Sequence, residues 1–208
     1  MAGDAHPALR QTGAMLTASD PLPRPRPTRV VVAGVSGVGK STLARRLGDR
    51  LGLPYTEIDG LFHGPDWTRR AEFDADVAAL AARQAWITEW QYESARPVLA
   101  ARAGMLVWLD LPFPVTLWRV VARTLRRSRS REPLWNGNVE PGLWHAVSDP
   151  EGIIRWSVAT RGKYRLLIPE VEAANPGLVV VRLRSRAEVE RWVRSLSRAA
   201  GPRPSAGG

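Results

Sequence analysis

The sequence predicts an α/β fold in three layers, with a five-stranded parallel sheet covered by helices on both faces. Short runs of β-branched and aliphatic residues alternate with longer helical patterns along most of the chain. The runs are apolar throughout, which is typical of strands that are buried on both faces of a parallel sheet. A glycine-rich segment joins the first run to the first helical pattern, at the edge of the sheet where ligands of such folds bind.

Five segments have the composition of strands. The clearest are residues 28–33 (TRVVVA), 105–109 (MLVWL) and 177–183 (GLVVVRL), because they concentrate Val and Leu. Two shorter segments, 55–58 and 85–88, complete the predicted sheet. The connections between these strands are long enough to hold helices, which makes a parallel arrangement the expected one.

Helical patterns fill the intervals between the strands. The first helix begins at Ser41 and ends before Gly52, since glycine and Pro54 both stop a helix. Pro114 suits the first turn of the long helix that follows the 105–109 strand. The helices are predicted at 41–51, 72–84, 94–102, 115–128, 151–170 and 186–198.

One domain is predicted, at 28–198. The residues at 1–27 show no hydrophobic periodicity and end in a proline-rich run, so they are expected to form a disordered tail, and the residues at 199–208 another. The segment 129–150 is rich in Gly, Pro and Asn and lies between two arginine-bearing helical patterns. A mobile lid is predicted there.

Composition limits the classes of function. The chain has no cysteine, which excludes disulfides and thiolate metal sites, and it has no apolar run long enough to cross a bilayer, so we expect no membrane partner and a cytoplasmic location. The net charge is +10, and 28 of the 30 basic residues are arginine. This charge suits either polyphosphate chemistry or nucleic-acid binding, of which nucleic-acid binding is the weaker hypothesis because charge alone is unspecific.

The glycine-rich segment matches the phosphate-binding pattern G-x-x-x-x-G-K-[ST] at every fixed position. Its glycines allow backbone angles that side chains forbid, so the loop N–H groups can surround a phosphate. The lysine adds a positive charge, and the serine hydroxyl is a ligand for Mg²⁺. A P-loop NTPase fold of the kinase type is therefore predicted, with ATP and Mg²⁺ as cofactors. The residues expected to bind them are Gly34, Ser36, Gly37, Val38, Gly39, Lys40, Ser41 and Thr42.

Two carboxylates are candidates for a second metal contact. Glu89 follows the strand at 85–88, and Asp110 follows the strand at 105–109. P-loop enzymes usually place a carboxylate at the end of a strand neighbouring the loop, where it holds Mg²⁺ or its waters. Asp110 is followed by Leu-Pro and a helix, so a turn or capping role is an alternative for it.

Arginines recur on the helix at 115–128 without any acid among them. Arg119, Arg123 and Arg127 are spaced by four residues and therefore share one face. Such a cluster of like charges is explained if an anion lies among them, and arginines stabilise the charge that develops in phosphoryl transfer. Arg119 and Arg123 are therefore predicted to be catalytic, while a solvated basic face is the alternative.

The chain resembles the nucleoside monophosphate kinase-like P-loop kinases and, among them, the DNA topology modulation protein family. The resemblance covers roughly residues 30–196 and rests on the order of several segments. They are GVSGVGKST, IDGLFH followed by Trp67, WITEWQY, WLDLP with the arginine-rich helix, WNGNVE and LRS.

This resemblance implies further roles. Glu89 occupies the position where these kinases carry a carboxylate near Mg²⁺, which favours it over Asp110 as the metal residue. Arg119 corresponds to the arginine that stacks on adenine in adenylate kinases, and Arg123 to a phosphate-binding arginine. Arg155 corresponds to a catalytic lid arginine.

The resemblance also implies an acceptor site. Asp59 corresponds to the residue that binds a substrate hydroxyl in related small-molecule kinases, and Arg96 is placed to contact the charge of the acceptor. Trp67 and Trp90 are implied as further substrate residues, with Trp90 replacing a glycine and narrowing the acceptor pocket.

The sequence thus predicts an ATP-dependent kinase that phosphorylates a small molecule, either a nucleotide or a hydroxylated metabolite. The alternative is a nucleotide-responsive regulator that binds DNA through its arginines, with little turnover. Salt dependence distinguishes the two, because DNA binding through many arginines weakens steeply as salt rises. The identity of the acceptor and the choice between ATP and GTP are left open by the sequence.

Overall fold

The computed structural model describes residues 15–130, 136, 138 and 162–196. In chain order these residues form β1 (Arg29–Ala33), α1 (Lys40–Leu51), α2 (Ile58–Phe62), a 3₁₀ turn (Pro65–Trp67), α3 (Phe73–Ala82), β2 (Trp86–Glu89), α4 (Ala95–Ala100), β3 (Met105–Leu109), α5 (Phe113–Ser130), α6 (Lys163–Ala174), β4 (Val179–Leu183) and α7 (Arg186–Ser195).

The strands form one parallel sheet in the order β2-β1-β3-β4. The prediction of an α/β fold with a parallel sheet is confirmed. Among the described residues the sheet has four strands, however, and not the five that were predicted.

The missing strand is the segment 55–58. Tyr55 makes a single bridge to Ile87, and Thr56 N donates to Ile87 O at 3.0 Å. The ladder stops there because Ile58 begins α2 and turns its backbone N–H to the Glu89 carboxylate at 3.1 Å. A side-chain acceptor therefore replaces the carbonyl that a fifth strand would have used.

Side chains alternate between the two faces of the sheet and create two apolar layers. Val31 points to the layer that holds Phe73 of α3, Leu99 of α4 and Ile168 of α6. Its neighbours Val30 and Val32 point to the opposite layer, which packs against α1 and α7. The helices therefore cover both faces of the sheet, and the expected three-layer arrangement is present.

Part of the predicted N-terminal tail has ordered contacts. Leu16 forms a parallel bridge with Val181, its N–H donates to Val180 O at 2.8 Å, and its carbonyl accepts from Arg182 N at 2.8 Å. Ala18 is buried in the apolar layer on the α1 side of the sheet. This stretch thus lies along the free edge of β4, and the domain limits stay a prediction.

The helix that was predicted at 151–170 continues past its predicted end, to Ala174. Within the described residues it is α6, and Pro169 lies inside it instead of ending it. The helix continues because Ile168 is buried and Val171 packs against the same apolar layer, which outweighs one lost backbone hydrogen bond. Residues 151–161, and most of the predicted lid at 129–150, lie outside the described residues.

No helix in the described ranges is long and apolar enough to cross a membrane.

Candidate functional site

The glycine-rich loop connects β1 to α1 and closes against α5. Gly34, Gly37 and Gly39 have φ values of 147°, 72° and 102°. A Cβ atom at Gly37 would lie 2.4 Å from Val120 Cγ2 and 2.8 Å from Thr116 O. Backbone conformation therefore favours glycine at all three positions, and the close approach of α5 requires it at Gly37, as expected for a loop that presents its N–H groups to a phosphate.

Lys40 begins α1 and folds back over this loop, where its Nζ donates to Val35 O at 3.3 Å. Burial is the largest effect on this side chain and lowers the pKa of the Lys40 ammonium. The carboxylates of Asp59 and Glu89 oppose that effect, and Arg123 adds to it. The four charged groups are thus close enough to interact, and the structure brings these predicted site residues together.

Glu89 ends β2, directly beside Val32 of β1, and only 2% of it is exposed. Its Oε1 accepts from Tyr55 Oη at 2.6 Å, and its Oε2 accepts from the backbone of Ile58 at 3.1 Å. Burial and the negative charge of Glu89 raise the pKa of the Tyr55 hydroxyl far above its usual range. The same hydroxyl also interacts with Ser41, so Tyr55 links the two predicted metal residues.

Asp110 has a different environment. Its carboxylate pairs with the Arg182 guanidinium, with Nε at 3.1 Å, and Arg165 Nε lies 3.6 Å away. The Arg182 guanidinium also lies 4.4 Å from the centre of the Trp108 ring. These ion pairs explain Asp110 without a metal, and Glu89 therefore remains the candidate for the metal role.

Arg119 approaches the loop from α5, with its Nη1 donating to Val38 O at 3.0 Å. Burial and the charge of Arg186 lower the pKa of Arg119, so these two cations lie close enough to repel each other. Such an arrangement suits a negatively charged ligand. Thr42 lies on the exposed side of α1, and Arg155 lies outside the described residues.

Asp59, in α2, anchors a hydrogen-bonded group opposite Lys40. Its Oδ1 accepts from Tyr92 Oη at 2.6 Å and from the Gln91 amide. The Tyr92 hydroxyl also contacts His63 Nε2 at 3.2 Å. Because a carboxylate only accepts, the Tyr92 proton points to Asp59, and His63 Nε2 donates to the Tyr92 oxygen.

Burial changes the pKa values of the side chains around Asp59. It is the largest cause that raises the pKa of Tyr92 far above its usual value, and the charge of Asp59 is the next. Burial lowers the pKa of His63, which Asp59 partly offsets. Tyr92 therefore stays a neutral donor, and Asp59 keeps a fixed orientation.

The predicted substrate tryptophans have different positions. Trp67 lies beside His63, with ring centres 5.2 Å apart, and is therefore near the Asp59 group. Trp90 is only 3% exposed, and its Nε1 donates to Arg96 O at 2.9 Å. The Arg96 guanidinium lies 5.7 Å from the centre of the same ring, and Arg96 as a whole residue is 9% exposed. Trp90 and Arg96 thus pack against each other in a buried position, and their predicted substrate roles stay predictions.

Sequence reasoning missed several residues of this site. Tyr55 lay in a segment predicted to be a strand, and nothing in its spacing indicated a link between Ser41 and Glu89. Tyr92 and His63 stood within the segments that carry the family resemblance, but no role had been derived for them. The signal that was available for Tyr92 and His63 is that each of these polar side chains follows a predicted strand within a few residues.

No family model matches the chain. A cytidylate kinase from Nitratidesulfovibrio vulgaris is 42% identical over 57 residues, which are 27% of this chain and 25% of that protein. The match thus spans about a quarter of the length of this relative.

Solved structures that resemble the chain include three kinases. They are a sugar kinase from Janibacter sp. HTCC2649 (25% identity, TM-score 0.44, covering 81% of this chain and 91% of that one), a shikimate kinase from Acinetobacter baumannii (19%, 0.49, 80% and 89%) and a gluconokinase from Sinorhizobium meliloti 1021 (20%, 0.45, 82% and 91%). All three are named as kinases, the enzyme class that the sequence predicts. The likeness to the DNA topology modulation family stays a prediction.

Proposed function

We propose that this protein is an ATP-dependent phosphotransferase that moves the γ-phosphoryl group of ATP to a hydroxyl group of a small molecule. The observation that carries the proposal is the position of Lys40 on the glycine loop, opposite Asp59 and Glu89. The Lys40 ammonium, which would bind phosphate, thereby interacts both with Glu89, the candidate metal residue, and with Asp59, the candidate acceptor residue.

The nucleotide side of the site fits Mg²⁺ and ATP. The loop backbone and Lys40 would hold the phosphates, while Ser41 and Glu89, linked by Tyr55, would hold the metal ion. Bound Mg²⁺ supplies positive charge that offsets the negative charge of the phosphate oxygens. Arg119 and Arg123 add two further positive charges on α5, next to the loop.

The acceptor side of the site favours a hydroxyl over a phosphate. Two carboxylates, Asp59 and Glu89, would repel an anionic acceptor, whereas Arg96 is engaged with Trp90 in the core. Tyr92 and Gln91 both donate to Oδ1 of Asp59. The other oxygen of this carboxylate can therefore accept a hydrogen bond from a further donor. An acceptor hydroxyl fits that position as a donor.

In the proposed reaction the acceptor oxygen forms a bond to the γ-phosphorus as the bond from that phosphorus to the bridging oxygen breaks. ADP leaves with the electron pair of the broken bond. The proton of the hydroxyl passes to the Asp59 carboxylate, which acts as general base. Lys40 and the arginines of α5 stabilise the charge on the transferred group.

The test is an acceptor screen with purified protein, ATP and Mg²⁺, in which ADP formation is measured. The panel contains sugars, gluconate, shikimate, nucleosides and CMP, with Lys40→Ala and Asp59→Asn as variants. We expect a hydroxylated compound without a phosphate to raise turnover, and we expect Lys40→Ala to abolish it. Asp59→Asn should lower kcat by about 10²–10⁴-fold, the usual contribution of a general base.

Two results would count against the proposal. If CMP is the only compound in the panel that raises turnover, the acceptor is a nucleotide phosphate instead of a hydroxyl group, and Asp59 does not act as a base. ATP binding without turnover in the presence of any panel member would argue against a kinase altogether.

A further inference from the structure

A tight turn between α2 and α3 is held by a residue from a distant part of the chain. Asn138 accepts a hydrogen bond from the Trp67 backbone at 3.1 Å through Oδ1 and donates from Nδ2 to Gly64 O at 2.8 Å. Its side-chain amide therefore joins both ends of the Pro65–Trp67 turn. Asn136 adds a third contact, since its Nδ2 donates to His63 O.

The geometry of this turn is unfavourable by itself. Asp66 and Trp67 have φ values of 53° and 58°, in the left-handed region that residues with side chains seldom adopt. Each such residue costs about 1–2 kcal/mol, and consecutive residues of this kind persist only where surrounding contacts impose them. Asn138 is 6% exposed, so its two hydrogen bonds are shielded from water and well placed to impose this conformation.

The turn is connected to the proposed acceptor site. His63 lies immediately before it, packs edge-on against the Trp67 ring at 5.2 Å and contacts the Tyr92 hydroxyl at 3.2 Å. Tyr92 in turn orients Asp59. A change in the turn would therefore displace Trp67 and His63, and with His63 the contact to Tyr92, one of the two donors that orient the Asp59 carboxylate.

We propose that Asn138 is a positioning residue for the phosphoryl acceptor: its amide fixes the turn so that Trp67 and His63 form one wall of the acceptor site. This inference rests on the proposed function, because it assumes that the acceptor binds beside Asp59. It adds a determinant of acceptor binding from a part of the chain that is more than seventy residues away from the turn.

The test compares Asn138→Asp with Asn175→Asp in the full chain. Both residues use a side-chain amide to donate to a backbone carbonyl at 2.8 Å, Asn138 to Gly64 O and Asn175 to Val171 O at the end of α6. The aspartate keeps the size of the side chain but replaces the donor with an acceptor. Asn175→Asp is therefore the matched control.

The first readout is cleavage by trypsin after the exposed Arg69, identified by mass spectrometry. We expect Asn138→Asp to increase the rate of this cleavage by about tenfold, because loss of the amide donor allows the turn to open locally. Asn175→Asp should leave the rate unchanged.

The second readout is steady-state kinetics with the best acceptor from the screen. In Asn138→Asp we expect KM for the acceptor to rise by about tenfold or more, with KM for ATP within about twofold of the wild type. A purely structural role would move both KM values together or neither.

The outcomes separate this inference from the proposed function. If Asn138→Asp leaves both cleavage after Arg69 and the acceptor KM at wild-type values, or shifts both KM values alike, the positioning role is wrong while the kinase proposal stands. If the wild-type protein shows no acceptor-dependent turnover, the proposed function fails, and this inference falls with it.

Discussion

At position 37, both the backbone conformation and the packing against α5 require glycine, the residue without a side chain. Its φ of 72° is unfavourable for any residue with a side chain, and the space that a Cβ would need is occupied by Val120 and the carbonyl of Thr116. The loop therefore approaches α5 more closely than any other residue type would allow. Gly39 differs, since a Cβ there would meet only the Arg119 guanidinium, at 3.5 Å.

We therefore predict that Gly37→Ala lowers the free energy of unfolding by about 2–4 kcal/mol, through the left-handed φ and the overlap with α5. Binding of Mg·ATP should weaken as the loop is displaced. Urea denaturation and calorimetric titration measure the two effects. Gly177→Ala is the control, because a Cβ there meets nothing within 4 Å, and an equal loss in both variants would contradict the prediction.

Only part of the candidate site could be predicted at the level of single residues. The P-loop residues follow from local sequence, because a short pattern specifies their backbone and its chemistry. The residues next to Glu89 and Asp110 in the sequence do not decide which of the two carboxylates has the metal role. The distinction comes from residues far along the chain: Tyr55 approaches Glu89, whereas Arg165 and Arg182 pair with Asp110.

Among the secondary-structure elements, α6 packs against the end of β2 through one buried tyrosine. Tyr164 Oη donates to Trp90 O at 3.3 Å, and burial raises the pKa of Tyr164 to about 12. A phenolate is therefore disfavoured in the folded protein, although it forms from about pH 10 in the unfolded chain. The contribution of this group to stability is complete below pH 10 and is lost as the pH rises from 10 to about 12.

We predict that Tyr164→Phe costs about 0.5–1.5 kcal/mol at pH 7, where it removes one hydrogen bond. Above pH 10 the wild-type protein should lose up to about 2–3 kcal/mol that the variant keeps, because phenylalanine cannot ionise. The measurement is urea denaturation of both proteins at several pH values between 7 and 11.5. Parallel stability curves across that range would show that Tyr164 does not titrate as described.

The edge of β4 is covered by Leu16, which explains why a segment with the composition of a tail is ordered. We predict that Leu16→Pro destabilises the protein by about 1–3 kcal/mol, since it removes the N–H that satisfies the buried Val180 carbonyl. Hydrogen exchange at the Arg182 amide should become faster. Leu16→Ala keeps the N–H and is the control, so equal exchange rates at Arg182 in the two variants would argue against this edge contact.

For the whole molecule, ligand binding should couple to stability. The loop, α1, α5 and the end of β2 surround the proposed phosphate site, so Mg·ATP should bind the folded state alone. At a ligand concentration of 100 times Kd, this linkage contributes about 2.7 kcal/mol. For a chain of this size that corresponds to a rise in Tm of about 5–10 °C.

Differential scanning fluorimetry across a Mg·ATP series tests this expectation. Lys40→Ala should show a much smaller rise in Tm, because the substitution removes the ammonium that is proposed to bind the phosphates. A full-sized shift in Lys40→Ala would place the nucleotide elsewhere on the protein.

The sequence by itself determined the four strands of the described sheet, their parallel arrangement, most of the described helices and the glycine-rich loop. These features depend on local patterns of apolar residues and glycines, which act over a few residues. It also placed Asp59 and Glu89 among the candidates, although their roles remain to be tested.

The tertiary structure alone decided which candidates meet. Ile58 donates to Glu89 and so ends a predicted fifth strand, and Trp90 and Arg96 are buried against each other. Asn138 reaches the turn at Gly64 across a long stretch of sequence. The physical reason is that burial and hydrogen bonds between distant segments depend on how the layers pack, and a local sequence pattern carries no information about those partners.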